Sequence, residues 1–275
     1  MAPDGSSIDP ADGSPAGGSG VPLGELVSYL DALLDARAGR DYGPNGLQVE
    51  GRERIAKLVT GVSACEELFT RAAEAGADAV LVHHGIFWNG LPLSLTGLRY
   101  RRVAALVRSG LSLIAYHLPL DRHPELGNNA LAARAFGLTE IAPFGLHEGQ
   151  TIGFQGRFAP PISAAELVAR CRRVFAHEPL AFLAGPDPVA SLGLVSGGAQ
   201  SEFYQAIEAG LDAYLTGEAT EWVMNVARES GVHYLAAGHY ATERLGVRAL
   251  GDHLARRFGP GHGLEVEFID VPNPV

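Results

Sequence analysis

Cysteine is scarce in this chain: Cys65 and Cys171 are the only two among 275 residues, and no Cys-x-x-Cys spacing exists. A disulfide framework is excluded, and both thiols read as reduced bystanders in helices. Basic charge is also short. Lys and Arg number 21 against 31 Asp and Glu, for a formal net charge of −10. The short clusters Arg99, Arg101, Arg102 and Arg170, Arg172, Arg173 read as solvated helix faces, so no nucleic-acid polymer is expected as a partner. No apolar run approaches the roughly 20 residues of a membrane span, and the N-terminus lacks the cationic start and apolar core of a secretory signal. The expected location is the cytoplasm.

What is present is a long α/β pattern. Residues 1–20 are almost all Gly, Ser, Pro, Ala and Asp. Such a segment buries too little apolar surface to offset the entropy of ordering it, so a flexible tail is expected. Leu23, Leu26, Val27, Leu30, Leu33 and Leu34 then recur with helical period. Strands are predicted over 58–60, 79–82 and 111–116, with helices over 66–75 and 100–109 between them. Gly127-Asn128-Asn129 is an N-cap signal for a helix to about residue 136.

The second half repeats the plan. Residues 74–81 match 208–215 at most positions, Leu58-Val59-Thr60-Gly61 matches Leu194-Val195-Ser196-Gly197, and Ser109-Gly110-Leu111 matches Ser230-Gly231-Val232. Three matches in one order indicate an internal duplication. The expected fold class is α/β, with two related lobes, largely parallel sheets and a site between the lobes at the C-terminal ends of strands. The lobes are placed at 21–140 and 141–275, with the option that C-terminal elements return to the first. Residues 149–185 fall outside the repeat, with a strand expected over 152–158 and a helix over 164–175.

Chemistry gathers at the strand ends. The run 77–82 stops in His83-His84-Gly85; a second strand runs into His117, with Asp121 four residues on; a third runs into His239, with Glu243 four residues on. In the second lobe Gly217 and Glu218 align with the histidine pair. Four imidazoles and two carboxylates at equivalent strand ends read as a binuclear metal site. With no thiolate nearby, the donor set suits zinc, iron or manganese. Two such ions roughly 3.5–4 Å apart can share and deprotonate a water, the basis of metal-assisted hydrolysis. His147, His177, His233, His253 and His262 are read as core or surface residues, and His123 as a loop residue. Ser196-Gly197-Gly198-Ala199 is read as a tight strand-to-helix turn before a phosphate cradle, and residues 41–46 as either a turn or a pocket loop.

Several stretches together resemble one family. They are Pro44-Asn45-Gly46-Leu47-Gln48-Val49, Val82-His83-His84-Gly85-Ile86-Phe87-Trp88, His117-Leu118-Pro119-Leu120-Asp121, Gly127-Asn128-Asn129, Thr216-Gly217-Glu218 and Gly238-His239-Tyr240-Ala241-Thr242-Glu243-Arg244. In this order they resemble the short form of the NIF-three-like dinuclear metal-centre proteins, also called GTP cyclohydrolase I type 2 homologues. The resemblance implies two divalent ions per chain, with His84 and Asp121 on one, His83 and His239 on the other, and Glu243 bridging. His117 and Glu218 would stand just behind these ligands. It also implies a homohexamer built as a trimer of dimers. The favoured activity is metal-dependent hydrolysis of a nucleotide or another cyclic amide; the alternative is a non-catalytic metal-binding protein acting in metal handling or partner regulation.

Overall fold

A computed structural model describes residues 20–275. The tail expected at 1–20 lies outside the described residues, apart from Gly20. The first half runs β1 (Val21–Pro22), α1 (Leu23–Leu33), β2 (Gly46–Val49), β3 (Arg54–Ile55), β4 (Lys57–Ser63), α2 (Glu66–Glu74), β5 (Ala79–His84), α3 (Gly97–Ser109), β6 (Ser112–Ala115), α4 (Leu118–Arg122) and α5 (Asn128–Ala135). The second runs β7 (Thr139–His147), β8 (Gln150–Ile162), α6 (Ala164–Phe175), β9 (Leu180–Phe182), β10 (Val189–Leu194), α7 (Phe203–Glu208), β11 (Ala213–Thr216), α8 (Val223–Ser230), β12 (His233–Ala236), α9 (His239–Thr242), α10 (Arg244–His262) and β13 (Glu265–Phe268).

These strands form a mixed α/β fold with two main sheets, in the orders β13-β4-β5-β6-β2 and β7-β8-β10-β11-β12-β9, besides the small β1-β3 pair. The first is parallel except at β2. In the second only β10-β11-β12 is parallel, and the other three pairings are antiparallel. The expectation of largely parallel sheets therefore holds for the first sheet and only for the centre of the second. The cause is the segment 149–185, which supplies β8 and β9 to either side of that parallel centre. The long helix α10 contributes Val247, Leu250, Leu254 and Phe258 to the buried cluster that also holds Leu26 and Leu30 of α1. The chain then returns to the first sheet, where β13 pairs with β4.

The two parallel centres share a local device. Asp78, just before β5, accepts hydrogen bonds from the amides of Ala56 (2.8 Å) and Lys57 (3.0 Å) at the start of β4. Asp212, just before β11, accepts from Ala190 (2.7 Å) and Ser191 (2.9 Å) on β10. Each carboxylate ties one strand start to the next and thereby sets the level at which the strands end. No helix among the described residues is long and apolar enough to cross a membrane.

Removing either carboxylate leaves two strand amides without an acceptor. Asp78→Ala and Asp212→Ala should each lower stability by about 2–4 kcal/mol, judged from charge-assisted bonds to backbone amides. Asn, which keeps an acceptor oxygen, should recover part of the loss. Urea unfolding checks this, and a change below about 0.5 kcal/mol, the size of an ordinary surface substitution, would count against the device.

Candidate metal centre

The side chains come from both sheets and meet at the seam between them. His83 and His84 are the last two residues of β5, with ring centroids 4.7 Å apart. His117 is the N-cap of α4 and Asp121 lies within that helix, while His239 opens α9 and Glu243 is its C-cap. The four-residue spacing noted at both strand ends is thus one helical turn, which puts acid and imidazole on the same side. His83, Asp121 and Glu243 are buried, with exposures of 0%, 5% and 2%.

The distances bring two overlapping clusters together. His83 Nε2 lies 3.3 Å from Asp121 Oδ2 and 3.5 Å from Glu243 Oε1. Glu243 Oε2 lies 3.3 Å from His84 Nε2, and its Oε1 lies 3.2 Å from His239 Nε2. Two of the three-residue groups able to hold an ion are therefore His83, Asp121, Glu243 and His84, His239, Glu243; a third joins His117 to His83 and His84. Glu243 belongs to both carboxylate groups. The pairing differs from the one implied by resemblance: Asp121 stands with His83, not His84, and His239 with His84. Both rings reach Glu243, but only His83 Nε2 also stands beside Asp121, while His84 shares Glu243 with His239.

Every imidazole has its other nitrogen occupied. His83 Nδ1 sits 3.1 Å from the Tyr116 carbonyl oxygen, which can only accept, so Nδ1 carries a proton and Nε2 is the ring atom turned toward Asp121 and Glu243. His84 Nδ1 meets Ser63 Oγ at 3.0 Å, His117 Nδ1 meets Asp41 Oδ1 at 2.6 Å, and His239 Nδ1 meets the Glu218 carboxylate. Asp121 Oδ1 accepts from Asn128 Nδ2 (2.9 Å) and Ser196 Oγ (2.8 Å), leaving Oδ2 for His83. Outer partners that fix ring orientation in this way are characteristic of metal-ligating histidines.

Two further features fit a cation. His83 Nε2 and Glu243 Oε2 are buried without any hydrogen-bond partner, a rare state for polar atoms in a folded interior. Gly197, at φ +68°, also keeps the space clear: a Cβ there would fall 2.3 Å from Glu243 Oε1 and 3.1 Å from His239 Nε2. A divalent ion among these nitrogens and carboxylates satisfies both, so the residues present suit the metal implied by the sequence.

The cluster's charges set its protonation. Burial pushes the Glu243 carboxyl up, but the adjoining His84 and His83 more than offset it and hold it well below the usual range. Asp121 is lowered in the same way by His83 against its burial. Burial lowers His239 less than Glu243 and Glu218 raise it, leaving it at about 9. His84 goes the other way, to about 4, because burial and the neighbouring imidazoles outweigh Glu243.

A cavity of about 430 Å³ opens beside the cluster, lined among others by Tyr42, Trp88, His147, Ser196 and Glu202. Three residues of this region are not evident as functional in the sequence. Asp41 orients His117, so residues 41–46 form a pocket loop as well as a turn. His147, read as a core or surface residue, lies on the cavity wall: its Nδ1 is 3.2 Å from Glu202 Oε1 and its Nε2 is 2.6 Å from the Tyr42 hydroxyl. His147 and Glu202 are 55 residues apart, and no local pattern links them. Three other histidines set aside in the sequence stay away from the cluster. His123 caps its own loop, His233 bonds the Pro186 carbonyl, and His253 bonds Tyr29. The tight-turn reading of 196–199 suits the hydrogen bonds, since the amides of Ser196, Gly197 and Ala199 are taken by Asn129, Thr242 and Thr216. Gly127 is the N-cap of α5, and neither Asn128 nor Asn129 caps that helix; they brace Asp121 and the 196 turn instead, and Asn128 Oδ1 also accepts from the Gly246 amide in the first turn of α10 (2.7 Å).

The chain matches the Duf34/NIF3 (NGG1p interacting factor 3) family over residues 21–274. It belongs to that family. A Pseudomonas aeruginosa relative named GTP cyclohydrolase 1 type 2 homolog is 46% identical over 254 residues, covering 92% of this chain and 99% of the relative. An Escherichia coli relative of the same name is 41% identical, covering 91% and 98%. Among solved structures, protein ybgI, described as of unknown function, superposes with a TM-score of 0.86 at 40% identity, covering 93% of this chain and all of that one. A Thermus thermophilus protein gives 0.83 at 37% identity, with the same coverage.

The pKa directions give this NIF3-family protein a pH signature when stripped of metal. His84, at about 4 in the fold against 6.5 unfolded, contributes stability that is lost as pH falls from 6.5 toward 4. His239, at about 9, contributes stability present below 6.5 and lost as pH rises toward 9. Chelator-treated protein should therefore show its highest melting temperature near pH 6.5, by differential scanning fluorimetry. Excess zinc should flatten the alkaline limb, because ligands held by the ion no longer exchange protons. A melting temperature that is level from pH 6 to 9 without metal would contradict the assignment.

Proposed function

We propose that the chain binds two divalent ions and acts as a metal-dependent hydrolase on a nucleotide or another cyclic amide. The observation that carries this reading is the orphaned, fully buried His83 Nε2 facing Asp121 and Glu243, with Nδ1 already committed to a carbonyl. His83, Asp121 and Glu243 would hold one ion and His84, His239 and Glu243 the other, with Glu243 common to both. Bound there, such a pair supplies Lewis acidity and lowers the pKa of water toward neutrality. The substrate class is taken from the relatives' name, since opening a purine ring is a hydrolysis.

The chain's own residues divide the remaining work. Asp41 holds His117 at Nδ1, which leaves His117 Nε2 to hydrogen-bond a substrate in the cavity. Trp88 packs edge-on against His117, with centroids 5.2 Å apart, and with Leu118 and Ile152 limits water around the cluster. Elsewhere on the cavity wall Glu202 holds His147, and His147 in turn accepts from or donates to the Tyr42 hydroxyl. These side chains offer polar groups to a substrate.

Protein purified without chelator and reloaded with zinc, iron or manganese should carry close to two ions per chain by elemental analysis. Glu243→Gln should lose both, because a neutral amide bridges poorly. Asp121→Asn and His239→Gln should each lose mainly one, and His147→Gln should lose none. A reloaded content that never exceeds one ion defeats the binuclear reading. In a hydrolysis screen of nucleotides and cyclic amides, turnover should follow the two-ion form, and a fully loaded protein inert across that screen defeats the hydrolase reading.

The proposal extends to assembly as a homohexamer built from dimers. Leu91, Leu93, Leu95 and Leu98 are 48–94% exposed, an apolar stretch consistent with a subunit contact. Light scattering should give a mass near six chains of 28.9 kDa, and a stable monomer would rule this out.

A further inference from the structure

A second cavity, of about 530 Å³, meets the first at His84 and Trp88. Its other lining residues include Ser63, Cys65, Arg102 and Asn273. Among the described residues no Asp or Glu lines it, although the chain carries a formal net charge of −10. Arg102 is the only Arg or Lys on its wall. In the sequence this arginine belongs to a cluster read as the solvated face of α3. Its neighbour Arg101 fits that reading, being exposed and paired with Glu66. Arg102 is turned inward and half-buried, and its Nε is buried with no hydrogen-bond partner.

A guanidinium is never neutral in a protein and presents five donors in a flat fork. Leaving it partly desolvated without an acceptor is costly, and the partner it matches best is a planar or tetrahedral oxyanion taken in two parallel bonds. Asn273 adds polar capacity on the same wall: its Oδ1 accepts from the Val275 amide, which leaves its Nδ2 to donate. Ser63, between the cavity and the cluster, is engaged with His84 Nδ1. The cavity therefore pairs an unpartnered cation at one place with the imidazole edge of the metal centre at another, and Trp88 stands between the two cavities.

We propose that Arg102 is the anchor of a phosphate subsite, holding a phosphate group carried by the substrate while the rest of that molecule reaches the cluster past His84 and Trp88. Binding at Arg102 itself does not require metal. Only the statement that the anchored molecule is the substrate rests on the function proposed above.

The test uses the full chain after chelator treatment, titrated calorimetrically with inorganic phosphate, with ribose 5-phosphate and with ribose. Inorganic phosphate and ribose 5-phosphate should bind and ribose should not. Arg102→Gln should weaken both at least tenfold, whereas Arg101→Gln, on the exposed face of the same helix, should leave them unchanged. Circular dichroism and melting temperature establish that the Arg102 variant is folded, and Arg102→Lys, which keeps the charge but not the fork, should bind with intermediate affinity. Unchanged phosphate binding in a folded Arg102→Gln variant would place the anion elsewhere, on the protonated histidines for example, and overturn the assignment. Absence of binding by the wild-type chain at tens of millimolar would overturn it too. Arg102-dependent binding of inorganic phosphate without binding of ribose 5-phosphate would overturn the claim that the phosphate is the substrate's. Repeating the titration on Glu243→Gln separates the two readings: a failed metal centre shows in ion content and leaves the Arg102 dependence intact.

Discussion

Burying the Glu243 carboxylate is the constraint on which the centre of this molecule depends. A charged carboxylate removed from water is costly unless opposite charge and hydrogen bonds meet it. Glu243 is 2% exposed, and three imidazole nitrogens stand within 3.5 Å of it. Two of them end a strand of the first sheet, and the third opens a helical turn that follows the second sheet. The carboxylate is therefore stable only when both sheets are in place, and the site also ties them together. Gly197 belongs to the same constraint, because any side chain at that turn would occupy the space the carboxylate needs.

Around this centre lies a shell of groups that touch the ligands from behind. Tyr116, Ser63, Asp41 and Glu218 each engage an Nδ1, while Asn128 and Ser196 occupy one oxygen of Asp121. The result is directional: nitrogens and oxygens that would otherwise be free to turn face one small volume. The cavity beside it has a different character. Its wall includes the linked Tyr42, His147 and Glu202, with the Tyr42 ring 5.9 Å from that of His117.

The two halves are alike in their scaffolds and unlike at their ends. Asp78 and Asp212 tie strand starts in the same manner, and the parallel centres β4-β5-β6 and β10-β11-β12 follow the same order. Where β5 ends in two histidines, the chain after β11 carries Gly217 and Glu218. Glu218 reaches the centre only through His239, and Gly217 is packed against the His239 backbone, where a Cβ would fall 2.5 Å from its Cα. One half supplies a ligand pair, and the other supplies the close turn and the orienting carboxylate for His239.

Much of this is legible in the chain itself. Apolar runs alternating with helical periods specify the α/β class, and the ligand-bearing strand ends stand out because His83-His84, His117 with Asp121 and His239 with Glu243 are local patterns. Helix α6 has the bounds expected of it, and the bond between the Ser163 hydroxyl and the Glu166 amide fixes its start. What sequence could not supply depends on contacts between distant segments. The antiparallel flanks of the second sheet follow from where 149–185 docks. The partners of His117 and His147 lie 76 and 55 residues away, and whether Arg102 faces solvent or a cavity depends on how α3 rolls against its neighbours. Which imidazole stands with which carboxylate was also decided in three dimensions. Local order specifies the residues that reach a strand end, but the faces they turn to are set by the pleat of β5 and by the packing of the two sheets against each other.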